Sequence, residues 1–470
     1  MFVMLAIALI AGIAIQSCAG GARTGLWWGW LIALLLVPSW IAIRLGPLSL
    51  DLRTVAAVGG LALLWLFGRR NNHPHWLIAD AVMAVLFGLQ LASEYRTGSF
   101  GLLSAAELMR SWLLPYIVGR CFFGSTDDIV SVLPIIARAT LVLSLYAFFE
   151  AITHINPIND LANKTYGLLE EGAGYRWGLK RAQAFFDHPI YFGFLLVLIL
   201  PWAIVARRQS MLGESPGWWK ALPFLVAGAL ACTASRGPII AGIITACVPA
   251  LMAKPRWWTP AFALAIVAAA IMVPFQEEIT GSMSYWVGEN TEEPVMLVVA
   301  GREVAYTGTN HRILLFEVYE GALAKLEPLG YGSQLRDMSL DGVPERFRSI
   351  DSHYVLYLLQ RGPLGLAAFV LLALVTLGNL ASEGRKSGSP LSVLAAGLCG
   401  SMTMVSLMLF SVWFAPDFGT VWLFVAGLAG NLKSLKGNTE RSAPPAEWSE
   451  AHPRLAPTPV RSLVDSEELK

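Results

Sequence analysis

The chain has 470 residues, of which 55% are hydrophobic and only 14% charged, and its mean hydropathy is +0.57. A soluble domain of this length needs far more charge to cover its surface, so the soluble enzyme and binding-module classes are excluded. The net charge of +1 singles out no partner and gives no reason to expect nucleic acid.

Crossing roughly 30 Å of hydrocarbon takes about 17–25 apolar residues. Candidate spans fall at 2–17, 26–43, 55–68, 76–93, 102–119, 128–153, 186–207, 221–235, 237–253, 257–275, 363–380, 390–411 and 418–431. The runs are continuously apolar rather than alternating, which rules out a β-barrel. The fold class expected is all-α: a polytopic helical membrane protein with about 12 (12–13) transmembrane helices and a large, partly helical extracytoplasmic loop. The N-terminus lacks the basic region of a signal peptide, so the first segment reads as an uncleaved span. Cys18, Cys121, Cys232, Cys247 and Cys399 stand at unrelated spacings in or beside apolar segments, the pattern of buried thiols rather than a disulfide framework or a metal site.

Basic residues in short loops set the orientation. Arg69-Arg70, Arg120, Arg207-Arg208, Lys254, Arg256, Arg385-Lys386, Lys433 and Lys436 fall on one side, which is then cytoplasmic. Two longer loops, 154–185 and 276–351, lie outside. The chain divides into N-terminal scaffold helices (1–120), core helices (121–275), the large outer loop (276–351), C-terminal helices (352–432) and a tail (433–470) expected to be disordered and cytoplasmic. There is neither a 20–50-residue repeat nor an inverted pair of broken spans. Within the large loop, Asn310–Leu326 reads as one amphipathic helix with Ile313, Phe316, Tyr319 and Leu323 at helical spacing, ended by Pro328 and Gly330. Gly330-Tyr-Gly332 is then a turn that lets backbone approach another segment closely.

Ionisable groups at membrane depth need partners or a function. Asp80, Glu107, Arg110 and Arg138 form one such group. Glu107 and Arg110 are three apart and can pair directly. Arg138 sits about 15 Å into its span and calls for Asp80 or Glu107. Structural pairing and a substrate path both account for these charges.

A second group gathers at the outer face. Arg176, Lys180 and Arg181 precede the helix that begins near Phe185-Phe-Asp-His-Pro-Ile190, and Arg236 stands in the tight corner Thr233-Ala-Ser-Arg-Gly-Pro238. Arg236 either snorkels to water or clamps an anion, helped by the free N–H groups of the helix that Pro238 opens. Arg312 heads the loop helix. The planar fork of arginine suits a pyrophosphate. His353 falls in the first turn of a helix with Asp351 or Ser352 as N-cap. The positive end of the helix dipole keeps its ring neutral, able to take a proton from an attacking hydroxyl. A lone interfacial histidine is also commonly inert. His188, before Pro189, is a second candidate.

These pieces resemble the bacterial O-antigen ligase and O-antigen polymerase superfamily, over about residues 125–430. They occur in family order: Arg181-Ala-Gln-Ala-Phe-Phe-Asp-His-Pro-Ile190, Ser235-Arg-Gly237, Arg312 with a helix ending in Pro328-Leu-Gly-Tyr-Gly332, and His353-Tyr-Val-Leu-Tyr-Leu-Leu-Gln-Arg-Gly362. The family is similar to GT-C-type membrane glycosyltransferases. The resemblance implies a multi-pass protein of the bacterial inner membrane that moves a glycan en bloc from undecaprenyl pyrophosphate to an acceptor hydroxyl on the periplasmic side, without metal or cofactor. It implies that Arg236, Arg181 and Arg312 hold the pyrophosphate and that His353 is the base; Arg176, His188, Arg110 and Arg138 are further candidates from the reading of the charges and histidines alone. Many relatives carry Asn, Ser or Gln directly after this histidine, where this chain has Tyr354.

The implied partners are the lipid-linked glycan, an acceptor glycan or lipid A–core, and membrane lipids. Three acceptors stay open: lipid A–core for a ligase, a growing glycan for a polymerase, and a protein hydroxyl for an oligosaccharyltransferase. A transporter or flippase of lipid-linked sugars is the alternative of another class, motivated by the buried charges.

Overall fold

The computed structural model describes residues 1–68, 76–166, 174–176, 179–254, 295–299, 302–306, 311–336, 347, 350–386 and 389–442. The expected span 257–275, much of the loop 276–351 and residues 443–470 lie outside the described residues.

In chain order the elements are α1 (Phe2–Gly20), α2 (Ala22–Leu36), β1 (Ala42–Leu45), β2 (Leu48–Asp51), α3 (Leu52–Phe67), α4 (Ile78–Arg96), α5 (Leu102–Leu108) and α6 (Leu114–Cys121). Next come α7 (Asp128–Thr153), α8 (Pro157–Tyr166), β3 (Tyr175–Arg176), β4 (Leu179–Lys180), α9 (Pro189–Met211), α10 (Leu222–Cys232) and α11 (Arg236–Ala253). The remainder comprises β5 (Val295–Val299), β6 (Arg302–Tyr306), α12 (His311–Val318), α13 (Glu320–Ala324), α14 (His353–Gly384), α15 (Pro390–Met408) and α16 (Pro416–Ser442). Among the described residues the strands pair as three antiparallel two-stranded hairpins.

This is a helical membrane protein. Among the described residues eight helices are long and apolar enough to cross a membrane, and Ala22–Leu36, Leu52–Phe67 and Gly217–Cys232 are shorter apolar helices. The expected span 128–153 is α7 to the residue. The span expected at 26–43 ends at Leu36, because Pro38 forces Val37 into extended backbone, and the β1–β2 hairpin follows. The span expected at 102–119 is broken into α5 and α6 by a π turn at Met109–Leu113. α16 runs on through Ser442, so the tail expected from 433 begins as helix.

Burial sorts the helices from centre to rim. The spanning windows of α9 and α16 are 89% buried, whereas that of α1 is 11% buried, so α9 and α16 form the axis and α1 is a lipid-facing outlier. α9 can sit there because it is apolar all round. α16 meets α6 at a close helix crossing: a Cβ at Gly119 would overlap the backbone of Phe424 and Leu428, and one at Gly427 would overlap that of Tyr116. Asn431 fixes the register of this crossing, its Nδ2 donating to the carbonyls of Arg120 (2.9 Å) and Phe123 (3.0 Å) while its Oδ1 accepts from the Phe123 N–H.

The bundle has two ends. One gathers the start of α4 and the ends of α6 and α9. The other gathers the starts of α9, α11, α14 and α16 with the ends of α4, α7, α10 and α15.

At this second end, Gly330-Tyr-Gly332 makes the close backbone approach expected of it. Gly330 has φ 68°, and a Cβ there would collide with the backbone of Gln360 and Gly362. α14 bends at Gly362 (φ 69°, ψ 179°) ahead of Pro363, and the Tyr331 N–H bonds the freed carbonyl of Leu359 at 2.8 Å. α4 clasps the joint: Ser93 Oγ donates to the Leu329 carbonyl at 2.7 Å, Arg96 to that of Gly330 at 2.8 Å, and Glu94 pairs with buried Arg361.

The helix expected at 310–326 is two helices, α12 and α13, broken at Tyr319. Tyr319 is buried with its hydroxyl donating to the Phe347 carbonyl at 2.7 Å. The buried face is Leu314, Leu315 and Tyr319, packed on Val355 and Leu359 of α14, with Leu323 half-buried. The side chains of Ile313 and Phe316 lie outside the described part of the structure.

Candidate functional site

At the second end, the segment after β3 crosses the corner between α10 and α11. The Ala182 N–H bonds the Cys232 carbonyl at 2.9 Å, which seats the strand. Arg181 then donates through Nε to the Thr233 carbonyl (3.3 Å) and through Nη2 to Ser235 Oγ (2.8 Å), and Arg176 Nη1 donates to the Ala234 carbonyl (3.1 Å). Ser235 is the N-cap of α11 and Arg236 its first residue. Two distant segments thus bring three arginines to one helix N-terminus.

Among the described residues, Arg176 and Arg181 are tied to carbonyls and a hydroxyl, not to a carboxylate, so these bonds orient their charge without neutralising it. Burial, then the nearby Arg176, brings the Arg181 guanidinium down to about 10. Burial, then Arg236, lowers Arg176. Like charges crowded at a helix N-terminus favour an anion.

Glu150, at the end of α7, braces the segment from the other side. Its Oε2 accepts the N–H groups of Gln183 (3.0 Å) and Ala184 (2.9 Å), and Asn156 Nδ2 donates to its Oε1 at 2.9 Å and to the Ala184 carbonyl at 3.2 Å. Among the described residues the non-glycine positions with positive φ are His154 (62°), Ala184 (51°) and Ala234 (45°), and all three border this site. The carbonyl of His154 accepts from Lys180 (3.2 Å), and those of Ala184 and Ala234 accept from Asn156 and Arg176. Left-handed alanines cost of order 1–3 kcal/mol each and persist only where surrounding bonds over-determine them.

His188 caps α9, its Nδ1 accepting the Ile190 N–H at 3.1 Å. Burial, then Arg181 and Arg176, lowers it to about 4. With Nδ1 an acceptor, the neutral ring carries its proton on Nε2, so His188 is a hydrogen-bond donor rather than a base.

His353 is built differently. Ser352 is the N-cap of α14 without a side-chain cap bond, and the His353 N–H instead meets the carbonyls of Leu409 (2.9 Å) and Val412 (3.1 Å). The ring is 4% exposed, stacked on Phe414 at 4.7 Å and edge-on to Phe369 at 5.0 Å, with Tyr357 at 5.2 Å. Neither ring nitrogen has a hydrogen-bond partner among the described residues. Trp112 stacks on Phe414 at 5.5 Å and closes the box. The expected interfacial base is therefore enclosed, because the turn 409–415 folds over the first turn of α14. Tyr354 joins α14 to α15, its hydroxyl donating to the Ser406 carbonyl at 2.8 Å and its ring packing on Phe410 at 4.3 Å.

The box and the arginine corner are neighbours. A chain of ring contacts runs from His188 to Tyr191 (5.8 Å), Phe418 (6.3 Å), Phe414 (5.8 Å) and His353 (4.7 Å). Gly237, next to Arg236, packs on Met408, beside the Leu409 whose carbonyl holds the His353 N–H.

The remaining candidates sit elsewhere. Arg312 is in α12, and its side chain lies outside the described part of the structure. Arg110 is bound by Glu107 (Nε–Oε2, 2.8 Å) and Asp51 (3.2 Å) beside the β1–β2 hairpin, which bears out the i, i+3 pairing. Arg138 does not reach Asp80 or Glu107. It is exposed on the outward stripe of α7 with Val142, Leu145, Phe149 and Ile152, a consequence of the 3.6-residue period. Asp80 is satisfied instead by Arg120 (Nε, 2.7 Å) and the Tyr116 hydroxyl (2.7 Å) at the opposite end of the bundle.

Sequence reasoning misses Glu150, although it interrupts the apolar run Tyr146–Ile152 and so carries the same signal as Arg138. It also misses the Glu94–Arg361 pair, because in the sequence Arg361 is only one residue of the stretch ending in Gly362. Among the described residues no cluster of His, Cys, Asp and Glu could hold a metal ion.

Comparison of the chain with models of known protein families and with curated proteins gives no match.

Proposed function

We propose that the protein is a glycan transferase of the bacterial inner membrane. It takes a glycan from undecaprenyl pyrophosphate and passes it to an acceptor hydroxyl on the periplasmic side. In this reading the chain has about 12 spans, the arginine end faces the periplasm, and 276–351 is the outer loop. The observation that carries it is the convergence of Arg176, Arg181 and Arg236 on the N-terminus of α11.

Chemically, the pyrophosphate gains charge as its bond to the sugar breaks, and fixed guanidiniums favour that product over the reactant. Neutral His188 adds one hydrogen bond from Nε2 to a phosphate oxygen. His353 takes the acceptor proton once the 409–415 turn swings Phe414 off its ring. Arg312, on the helix packed against the start of α14, completes the charge.

Two features weigh against a flippase path. Arg138 faces outward, and Asp80 and Glu107 lie in separate pairs at opposite ends of the bundle. Lipid A–core, a growing glycan and a protein hydroxyl remain the acceptors to compare.

The test is transfer by the purified protein from a lipid-linked glycan to each acceptor. Arg236→Ala and Arg181→Ala are expected to cut turnover by about 10²–10³, the scale of losing one preorganised charge-stabilising donor, and His353→Ala to abolish it. Full turnover in Arg236→Ala and His353→Ala would sink the assignment.

A further inference from the structure

A second candidate site runs along α9, α10 and α11 towards the opposite end of the bundle. α9, α10 and α11 enclose a cavity of about 640 Å³ that opens sideways between the helices. Its walls include the small residues Ala227, Gly242 and Ala246, and a Cβ at Gly242 would already come 2.8 Å from Leu230. No bulky side chain fills the space from these positions. The rim is apolar and outward-facing, with Phe224 64% and Ile243 63% exposed, which in a membrane is contact with acyl chains.

One mouth is charged. Arg207 and Arg208, near the C-terminal end of α9, line it half-buried, and the Arg207 guanidinium lies over the Phe224 ring, 4.9 Å from its centroid. The ring contact holds that charge at the boundary between apolar groove and water. A slot of this size with two guanidiniums at one end matches a molecule with an apolar tail and an anionic head.

We propose that the α9–α10–α11 cavity binds an anionic phospholipid drawn from the leaflet at the Arg207–Arg208 end, one acyl chain in the groove and the phosphate held by the two arginines. The charged mouth stands at the far end of α9 from the Arg181–Arg236 corner, and the proposal does not depend on the glycan-transfer reading.

The experiment uses the purified full-length protein in detergent, titrated with phosphatidylglycerol or phosphatidylcholine of identical chains, with retained lipid read by native mass spectrometry. The expected preference for phosphatidylglycerol is about thirtyfold, from two basic side chains near an anionic head group. Arg207→Gln with Arg208→Gln should erase the preference, and Arg207→Lys with Arg208→Lys should keep most of it. Ala246→Phe, which fills the groove from an exposed position, should weaken both lipids alike. Equal retention of the two lipids by the wild type, or a preference that survives the double Gln change, overturns the proposal. Should the double Gln variant fail to fold, undiminished phosphatidylglycerol binding by Ala246→Phe overturns it instead.

Discussion

The arginine corner and the His353 box occupy the same end of one bundle and are built on opposite terms. At the corner, polar groups are abundant and aligned: carbonyls orient Arg176 and Arg181, Glu150 braces the strand, and strained alanines hold the turns. In the box, two ring nitrogens are surrounded by Tyr357, Phe369 and Phe414 with no hydrogen-bond partner among the described residues. An unmade hydrogen bond at a buried group costs about 1–3 kcal/mol, so the box is held shut by its aromatic packing against a standing penalty. The contrast teaches that one end of a bundle can hold a charged corner preformed by hydrogen bonds and, beside it, an imidazole kept out of water by packing alone.

The largest expected effect breaks the box from beneath. Gly362→Ala puts a side chain at φ 69°, ψ 179° and against the Pro328 carbonyl, with an expected loss of about 3 kcal/mol or more. Membrane yield and thermal melting in detergent measure it, and wild-type stability in this variant would show that the joint tolerates a side chain after all. Next, Phe414→Ala should open the box while leaving the bonds of Arg176 and Arg181 in place. Mass-spectrometric mapping of diethylpyrocarbonate labelling should show His353 modified several-fold faster than in the wild type, and no change would mean that Phe414 is not its cover.

The corner is probed by pH. His188 titrates near 6.5 when unfolded and near 4 when folded. Its contribution to stability is therefore full above pH 6.5 and is lost as pH falls from 6.5 towards 4. The melting temperature should drop by about 2–4 °C across that interval, and His188→Asn should flatten this part of the profile. An unchanged slope in the variant would assign the drop to other groups. The smallest effect is expected for Tyr354→Phe, which removes one bond to the Ser406 carbonyl and should cost about 1 kcal/mol. A large loss there would mean that the hydroxyl does more than join α14 to α15.

Helices are legible in the sequence because apolar length is a local property, as α7 shows by matching its expected limits. Gly330 is legible because a glycine turn ending a helix demands a close neighbour, though Gly362 as that neighbour is not. Partners and faces are less legible, being fixed by packing. Asp80 pairs with Arg120, which in the sequence is only a marker of sidedness, and Arg138 faces out although its depth suggests burial. The outward stripe of Val142, Leu145, Phe149 and Ile152 is present in the sequence, but only the packed bundle shows which stripe of α7 is the outer one. Arg181 and Arg236 are each visible as odd cations. Their meeting depends on the Ala182–Cys232 bond, which no local pattern announces.

The glycine crossing of α6 and α16 has a mechanical consequence. With Gly119 and Gly427 in backbone contact and Asn431 spanning to the carbonyls of Arg120 and Phe123, these two helices cannot slide past each other. They act as a fulcrum. The swing of the 409–415 turn proposed above would therefore pivot at the start of α16, with the part from Gly427 onward clamped against α6.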